Sequence, residues 1–314
     1  MLNISYTLSP KLKEDLYEIE HLRRQILLTP LSPKTELKLR WEAILNRTYS
    51  SLNIAGNSLK RTEMLKLLAE TVHKKIRQEE QEVLKYKAAL NYISQEWLVS
   101  ANPVDTQALI DLHKIIGNGK LRVPRAELQY LLDYLQARSE NPIIQAGIVN
   151  IEIEKMRPFS ENNKLISHLA SLLFLYKYGY DFKGFLSYET EWVENSNNFK
   201  ENYERALNAT SLTLWLEYFA SCILKQAELI VQSLALPKSA ILELRESFWK
   251  LQDRQKSILS YLDSPQASIT NKKVQKRYKI SQITASRDLA KLTSLGFLFS
   301  HGKGRSVYYS RGSF

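Results

Sequence analysis

Apolar side chains recur at three- and four-residue steps along most of the chain, the spacing that places them on one face of an α-helix. Ser9-Pro10 opens the first such run with proline at the first helical position, and Pro33 opens the second. Further helices are predicted at about 60–76, 79–99, 104–116, 124–138, 142–155, 163–178, 197–207 and 211–233. The alternation typical of strands is almost absent before residue 296. The pattern therefore predicts a mainly α protein.

Near the C-terminus the pattern changes to three short helices followed by two β-prone segments. The helices are predicted at about 253–262, 270–277 and 282–294, and Ser281 is the expected N-cap of the last one. The apolar residues expected on the buried face of that helix are Ile283, Leu289, Leu292 and Leu295. Residues 297–299 and 307–309 flank a basic, glycine-rich tip. This arrangement predicts a two-stranded wing.

Positive charge is concentrated in the same C-terminal part. The chain has a formal charge of +11, and residues 250–314 hold 13 lysines and arginines against three aspartates, a net +10. Residues 1–249 are therefore close to neutral, at +1. Such asymmetry is typical of a domain that binds a polyanion. A solubilising surface is the alternative, although mixed signs would be commoner there.

The composition excludes several classes of protein. Hydrophobic residues make up 44% of the 314 positions, which is too many for an intrinsically disordered chain. Cys222 is the single cysteine, so an intramolecular disulfide is excluded, and five histidines without ligand spacing give no reason to expect a metal site. No signal peptide is visible, and the most apolar run, residues 169–176, is too short to span a bilayer. We therefore expect a soluble protein of the bacterial cytoplasm.

Residues 280–289, together with Gly302-Lys303-Gly304-Arg305, resemble the winged helix-turn-helix modules of bacterial regulators. In such modules the third helix enters the major groove of DNA and the wing contacts the backbone. The resemblance implies double-stranded DNA as the partner. The residues that it assigns to DNA contact are Lys272, Lys273, Gln282, Thr284, Ser286, Arg287, Lys291, Lys303 and Arg305. Winged helices also serve as protein-docking modules, which is the alternative interpretation.

A second resemblance lies in the helical body, in the run Arg157-Pro158-Phe159-Ser160-Glu161-Asn162-Asn163-Lys164-Leu165-Ile166-Ser167-His168. It resembles the Fic family signature His-Pro-Phe-x-[Asp/Glu]-Gly-Asn-[Gly/Lys]-Arg-x-x-Arg, a loop that leads into a helix. Segments at 49–59, 141–146 and 203–207 resemble further family motifs in the family's order. The resemblance covers roughly residues 30–210 and implies an all-helical Fic-like domain.

Fic proteins usually transfer AMP from ATP to a hydroxyl of a target protein, and a minority transfer phosphate. In that chemistry the signature histidine is the general base, and the acidic residue holds Mg²⁺. Backbone N–H groups at the helix N-terminus bind phosphate, and the arginines clamp the outer phosphates.

Several of these positions are changed in this chain. Arg157 stands in place of the histidine, and a guanidinium cannot accept a proton at neutral pH. Leu165 and His168 replace the two arginines, while Asn162 replaces a glycine and can adopt the same left-handed φ. The retained positions are Pro158, Phe159, Glu161, Asn163 and Lys164. The changes predict a pseudoenzyme without catalytic residues.

The family's inhibitory segment and its flap are altered as well. The remnant of the inhibitory segment comprises Ser51, Ala55 and Gly56, and Ala55 occupies the place of the inhibitory glutamate. Residues 117–122 occupy the place where the family usually builds a longer flap, which aligns the target chain by strand pairing. The flap of this chain is therefore short. Both changes agree with loss of the transfer reaction.

Two interpretations of the altered loop remain open. Arg157, Lys164 and His168 could form a cationic pocket for an anionic or nucleotide ligand. Alternatively, Arg157 could form an ion pair with Glu161 or Glu154 that closes the former site, since buried charges are normally paired.

The sequence as a whole predicts a helical extension at 1–30, a Fic-like domain at 31–235 and a winged helix-turn-helix domain at 240–314. The predicted function is that of a DNA-binding transcriptional or signalling regulator that needs no cofactor, and a homodimer would suit two DNA half-sites. One alternative is a residual protein AMP-transferase (adenylyltransferase) or phosphotransferase that uses ATP and Mg²⁺, with Glu161 as the metal ligand. Another is a protein-interaction module that partners a second Fic protein.

Overall fold

The computed structural model describes residues 4–69, 76–137, 141–235, 251–262, 267–294, 297–302 and 307–311. The chain divides into two compact units, Met1–Ser32 with Lys38–Leu234 and Pro33–Leu37 with Ala235–Phe314. Residues 236–239, between the two predicted domains, lie outside the described residues, as do Leu295, Lys303, Gly304 and Arg305 of the predicted DNA-binding module.

Helices make up most of the described chain before residue 236. They are α1 (Pro10–Leu28), α2 (Pro33–Ile54), α3 (Arg61–Ala69), α4 (Gln78–Glu96), α5 (Thr106–Ile116), α6 (Arg125–Ala137), α7 (Pro142–Met156), α8 (Asn163–Lys177), α9 (Glu189–Glu194), α10 (Ser196–Asn208) and α11 (Thr213–Ala235). The predicted mainly α fold class is confirmed, while α9 and a 3-10 turn at Phe182–Gly184 are absent from the prediction. Within the described ranges, no helix has both the length and the apolarity needed to cross a bilayer.

Side-chain caps explain where several helices begin. Ser9 Oγ accepts a hydrogen bond from the Leu12 N–H at 3.2 Å, and proline follows it, which confirms the predicted start of α1. Asp105 caps α5 in the same way, with 2.8 Å between its Oδ1 and the Ala108 nitrogen. Short polar side chains immediately before a helical run therefore place these boundaries.

α7 and α8 lie at the centre of the first unit, and the Fic-like motif forms the loop between them. An added Cβ at Gly147 would lie 2.8 Å from Leu216 Cδ2, so glycine allows α11 to pack directly on α7. Trp215 Nε1 donates to the Gly147 carbonyl at 2.8 Å, and Ser171 Oγ donates to the Ala146 carbonyl at 2.8 Å. These bonds tie α7 to α11 and to α8, so both ends of the loop are held by a well-packed core.

The second unit contains three described helices and a small antiparallel sheet. Its elements are α12 (Asp253–Tyr261), β1 (Ser268–Thr270), α13 (Asn271–Tyr278), α14 (Gln282–Ser294), β2 (Leu298–His301) and β3 (Tyr308–Arg311). The strand order is β1-β3-β2, so a third strand joins the two that the sequence predicts. β1 has only three residues, which is too short for an alternating pattern to be recognised.

The buried face of α14 differs from the prediction at one position. Ala285, Leu289 and Leu292 lie in the core of the second unit, whereas Ile283 is 66% exposed. Successive helical residues are about 100° apart, so Ile283 lies about 200° from Ala285 and faces away from the core. The prediction that Ile283 is buried is therefore wrong.

Two polar contacts fix the orientation of α14. The buried Asp288 accepts hydrogen bonds from Arg254 Nε and Gln255 Nε2, both at 2.7 Å, which ties α14 to α12. Ser281 Oγ accepts from the Thr284 N–H at 3.2 Å, so the predicted N-cap is confirmed.

Candidate functional site

The loop at 157–162 leaves α7 and enters α8 through two residues in the left-handed conformation. Arg157 has φ 47° and ψ 59° at the end of α7, and Asn162 has φ 54° and ψ 25° just before α8. The conformation predicted for Asn162 is confirmed, and its Nδ2 donates to the Ile116 carbonyl at 3.1 Å. The asparagine therefore replaces the glycine of the family signature without opening the loop.

Asn163 holds the loop from the inside. Its Oδ1 accepts from the Phe159 N–H at 2.9 Å, and its Nδ2 donates to the Phe159 carbonyl at 3.0 Å. Both residues are buried, so these bonds satisfy backbone groups that water does not reach. The retained asparagine thus shapes the loop.

His113 of α5 tethers the same loop, although no sequence pattern predicts it at the site. Its Nδ1 accepts from the Gly119 N–H at 2.9 Å, which leaves Nε2–H to donate to the Glu161 carbonyl at 3.0 Å. The ring stacks on Phe159 with 4.0 Å between centroids, and burial lowers the pKa of His113 so that the ring is neutral at pH 7. An added Cβ at Gly117 would lie 2.8 Å from His113 Cε1, so this close approach requires glycine.

The shortened flap segment pairs with the loop. The Arg122 N–H donates to the Pro158 carbonyl at 2.7 Å, and the Ser160 N–H donates to the Lys120 carbonyl at 3.2 Å. An isolated antiparallel bridge joins the two segments between these bonds. The backbone of the loop is therefore held by the flap as well as by α5 and α8.

Arg157 is exposed, and in the described structure no ion pair joins it to Glu154 or Glu161. Glu154 Oε2 instead accepts from the Tyr203 hydroxyl at 2.5 Å, and Glu154 Oε1 is buried without a partner. The ion-pair interpretation of the loop is therefore wrong, and Glu154 is bonded to a tyrosine of α10 instead. Lys164 Nζ lies 5.8 Å from the centre of the Tyr203 ring, so the second cation of the predicted pocket is beside the same tyrosine.

His168 does not contribute positive charge to this site. Its side chain is 1% exposed, its ring meets Trp192 edge-on with 5.2 Å between centroids, and neither ring nitrogen has a hydrogen-bond partner. Burial lowers the pKa of His168 to about 3, so the ring is neutral and faces the core. The prediction that His168 contributes to a cationic pocket is therefore wrong. The cations left from that prediction are Arg157 and Lys164.

A cleft of about 230 Å³ lies beside the loop, between α4, the end of α5 and the first turn of α8. Its lining residues are Gln78, Gln81, Glu82, Lys85, Ile116, Gly117, Asn118, Glu161, Asn162 and Leu165. No acceptor within the described ranges bonds to the backbone N–H groups of residues 163–165, so the N-terminus of α8 presents three free donors. Leu165 contributes an apolar wall where the family has an arginine.

The remnant of the inhibitory segment lies at the end of α2. Ser51 is buried, whereas Ala55 and Gly56 are exposed. The next residue, Asn57, donates from Nδ2 to Glu82 Oε2 at 2.7 Å, and Glu82 lines the cleft. The segment is thus connected to the cleft through the bond between Asn57 and Glu82, and Ala55 supplies no carboxylate.

We expect Asn163→Ala to lower the free energy of unfolding by about 2–3 kcal/mol, because two buried backbone groups of Phe159 lose their partners. Urea unfolding measures this loss. Asn197→Ala on the exposed surface of α10 is the matched control and should change stability by less than about 0.5 kcal/mol. Equal effects of the two substitutions would show that Asn163 does not hold the loop.

The second candidate site is the exposed face of α14. Gln282, Ser286, Arg287 and Lys291 are exposed on this helix, as the DNA-binding resemblance requires. Thr284 is partly buried, and its hydroxyl is hydrogen-bonded within the N-terminal cap, so it lies off this face. Among the residues predicted to contact DNA on α14, Thr284 is therefore the least accessible.

Helix α13 precedes α14 in the chain, is hydrogen-bonded to it and carries further cations. Lys272 is exposed, while Lys273 Nζ and the Arg277 guanidinium lie 5.0 and 4.6 Å from the centre of the Tyr261 ring. Asn271 of α13 donates from Nδ2 to Ser286 Oγ at 2.8 Å, which connects α13 to α14. The seven predicted DNA-contact residues that the structure describes thus lie on two directly connected helices.

No family model and no curated protein matches the chain. A solved structure of a Fic family protein from Desulfovibrio desulfuricans G20 is similar over 98% of both chains, with a TM-score of 0.64 and 16% sequence identity. A Fic domain containing signaling protein from Bacteroides thetaiotaomicron has a TM-score of 0.54 and 18% identity, over 71% of this chain and 96% of that chain.

Fic-1 from C. elegans is similar over 71% of this chain and 72% of that chain, with a TM-score of 0.59 and 16% identity. These likenesses agree with the resemblance found in the loop between α7 and α8. The chain therefore has the fold of the Fic family proteins.

Proposed function

We propose that the chain is a Fic-type pseudoenzyme that regulates transcription or signalling by binding double-stranded DNA. The observation that carries the proposal is the distribution of charge on α14. Its single acidic residue, Asp288, is buried and paired with Arg254, whereas Arg287 and Lys291 are exposed. The helix thus presents cations and polar groups to solvent and hides its carboxylate.

The remainder of the second unit supports this function. Residues 250–314 carry a net charge of +10, which is typical of a polyanion-binding domain. Residues at the start of a recognition helix reach base edges in the major groove, and Gln282, Ser286 and Arg287 occupy that position in α14. A homodimer would place two such helices on two half-sites.

DNA binding is tested by fluorescence anisotropy with a labelled duplex at salt concentrations between 50 and 300 mM. Each neutralised phosphate contributes about −0.9 to the slope of log K against log[salt], so four or five contacts should give a slope of about −4. A slope near zero, or no binding, would contradict DNA binding and favour a protein-docking module.

The proposed loss of transfer chemistry follows from the groups around the loop. Arg157 cannot accept a proton, and Glu154 is bonded to Tyr203 through one oxygen and buried at the other. Burial raises the pKa of Tyr203 above its ordinary value of 10, so the phenol keeps its proton. Both nitrogens of His113 are occupied by backbone groups. None of these four side chains is therefore available as a general base.

A second candidate function is binding of a nucleotide or another anion without transfer. The three free N–H groups at the start of α8 favour it, because such donors bind phosphate at the positive end of a helix. Lys164 belongs to this turn and Arg157 begins the loop that leads into it, and both would add positive charge. In this role the first unit would sense a ligand for the DNA-binding unit.

We expect ATP with Mg²⁺ to transfer no label to proteins of a lysate or to the chain itself. Arg157→His should remain inactive, because Leu165 and His168 leave the outer phosphates without a clamp. Autoradiography measures transfer, and an increase in unfolding temperature with ATP would report binding without transfer. Label that depends on ATP and disappears in Glu161→Ala would overturn the assignment as a pseudoenzyme.

A further inference from the structure

Ile283 is a large aliphatic side chain that lies exposed among polar and cationic residues of α14. It is 66% exposed and lies in the first turn of α14, outside the hydrophobic core of that unit. It contributes little to the stability of the fold, since the buried face of α14 is formed without it.

The neighbours of Ile283 on α14 are polar or cationic. Ser286 and Arg287 follow it at three and four residues, so they share its face of the helix, and Gln282 precedes it. Ser286 Oγ accepts from Asn271 Nδ2 at 2.8 Å, which leaves the hydroxyl proton of Ser286 free to donate. The face therefore offers hydrogen-bonding groups around one apolar group.

This combination fits the edge of a base pair better than a protein surface. Lysine is depleted at protein–protein interfaces, whereas here exposed Lys291 lies further along the same helix and exposed Lys272 and Lys273 lie on the neighbouring α13. In the major groove the C5-methyl of thymine is the apolar feature among hydrogen-bonding groups, and aliphatic side chains contact it. An isoleucine can make no other base-specific contact in the groove, because it neither donates nor accepts hydrogen bonds.

We propose that Ile283 determines sequence specificity by packing against the C5-methyl of a thymine in the major groove. This inference rests on the proposed DNA-binding function. Gln282 and Arg287 would then read adenine or guanine beside that thymine, because these side chains bond in pairs to the purine edges.

The test uses the tightest duplex that the full chain selects from a random-sequence library. Each thymine of that duplex is replaced in turn by deoxyuridine, which removes the methyl group and keeps every hydrogen-bonding group. Loss of one buried methyl is expected to weaken binding by the wild type about three- to five-fold, at one thymine per half-site. Uracil at the other positions serves as the control.

The same series is measured with Ile283→Ser and Ile283→Val. We expect Ile283→Ser to bind the thymine and deoxyuridine duplexes equally, with an unchanged salt slope and unfolding temperature, and Ile283→Val to keep the preference. The assignment of Ile283 would be overturned if deoxyuridine weakened binding equally in the wild type and in Ile283→Ser, or if it weakened binding at no thymine. Either result would leave the proposed DNA binding intact. Absence of salt-dependent DNA binding would overturn the proposed function and this inference together.

Discussion

Reversal of three charges, Lys272→Glu, Lys273→Glu and Arg287→Glu, is expected to lower the affinity of the chain for duplex DNA roughly 500-fold or more at about 0.1 M salt. The three side chains are exposed on α13 and α14. The two lysine–phosphate contacts together contribute about 1.8 decades of affinity at this salt concentration through counterion release, and loss of the base contact of Arg287, at about 1–3 kcal/mol, removes roughly one decade more. Repulsion between the new carboxylates and the phosphates adds to the loss.

A matched triple variant separates local contacts from overall charge. Lys13→Glu, Lys66→Glu and Lys200→Glu change the net charge by the same amount at exposed positions of the first unit. This control should keep most of the affinity, and its salt slope should stay close to that of the wild type. Equal losses in the two triple variants would show that DNA responds to the charge of the whole molecule and not to the α13–α14 surface.

Local sequence signals predict a large part of this structure. A serine immediately before a helical run predicts the helix caps at Ser9 and Ser281. The tolerance of asparagine for left-handed φ predicts the conformation of Asn162. These features depend on a few neighbouring residues. They can therefore be recognised without knowledge of the tertiary fold.

Two of the missed features depend on residues far apart in the chain, and the third depends on the phase of a single helix. His113 tethers the carbonyl of Glu161 across 48 positions, and nothing near His113 in sequence indicates that partner. One interpretation of the sequence places His168 in a cationic pocket, but its position beside Trp192 buries it. Ile283 was assigned to the core by its apolarity, although the angle between helical positions places it opposite Ala285.

The buried ion pair between Arg47 of α2 and Glu189 of α9 is expected to make the stability of the first unit depend on pH. Arg47 Nε lies 3.8 Å from Glu189 Oε2, and the side chains are 1% and 0% exposed. Burial raises the pKa of Glu189 from 4.5 to about 7, while the guanidinium of Arg47 opposes that rise. Between pH 4.5 and about 7, Glu189 is protonated in the folded state and ionised in the unfolded state. The free energy of unfolding should therefore fall, by on the order of 3 kcal/mol, as the pH rises from about 4.5 through about 7.

Removal of the cation should make this dependence steeper. Arg47→Met is expected to cost roughly 3–5 kcal/mol at pH 8, where Glu189 without its partner must either stay ionised while buried or bind a proton, and less at pH 5, where Glu189 is already protonated. The double variant Arg47→Met/Glu189→Gln carries neither charge and should recover most of the loss at pH 8. Urea unfolding of the wild type and both variants at the two pH values measures these differences. An equal loss in Arg47→Met at both pH values would mean that Arg47 acts through its contacts with the Leu186 carbonyl and the Tyr176 ring, and not by compensating Glu189.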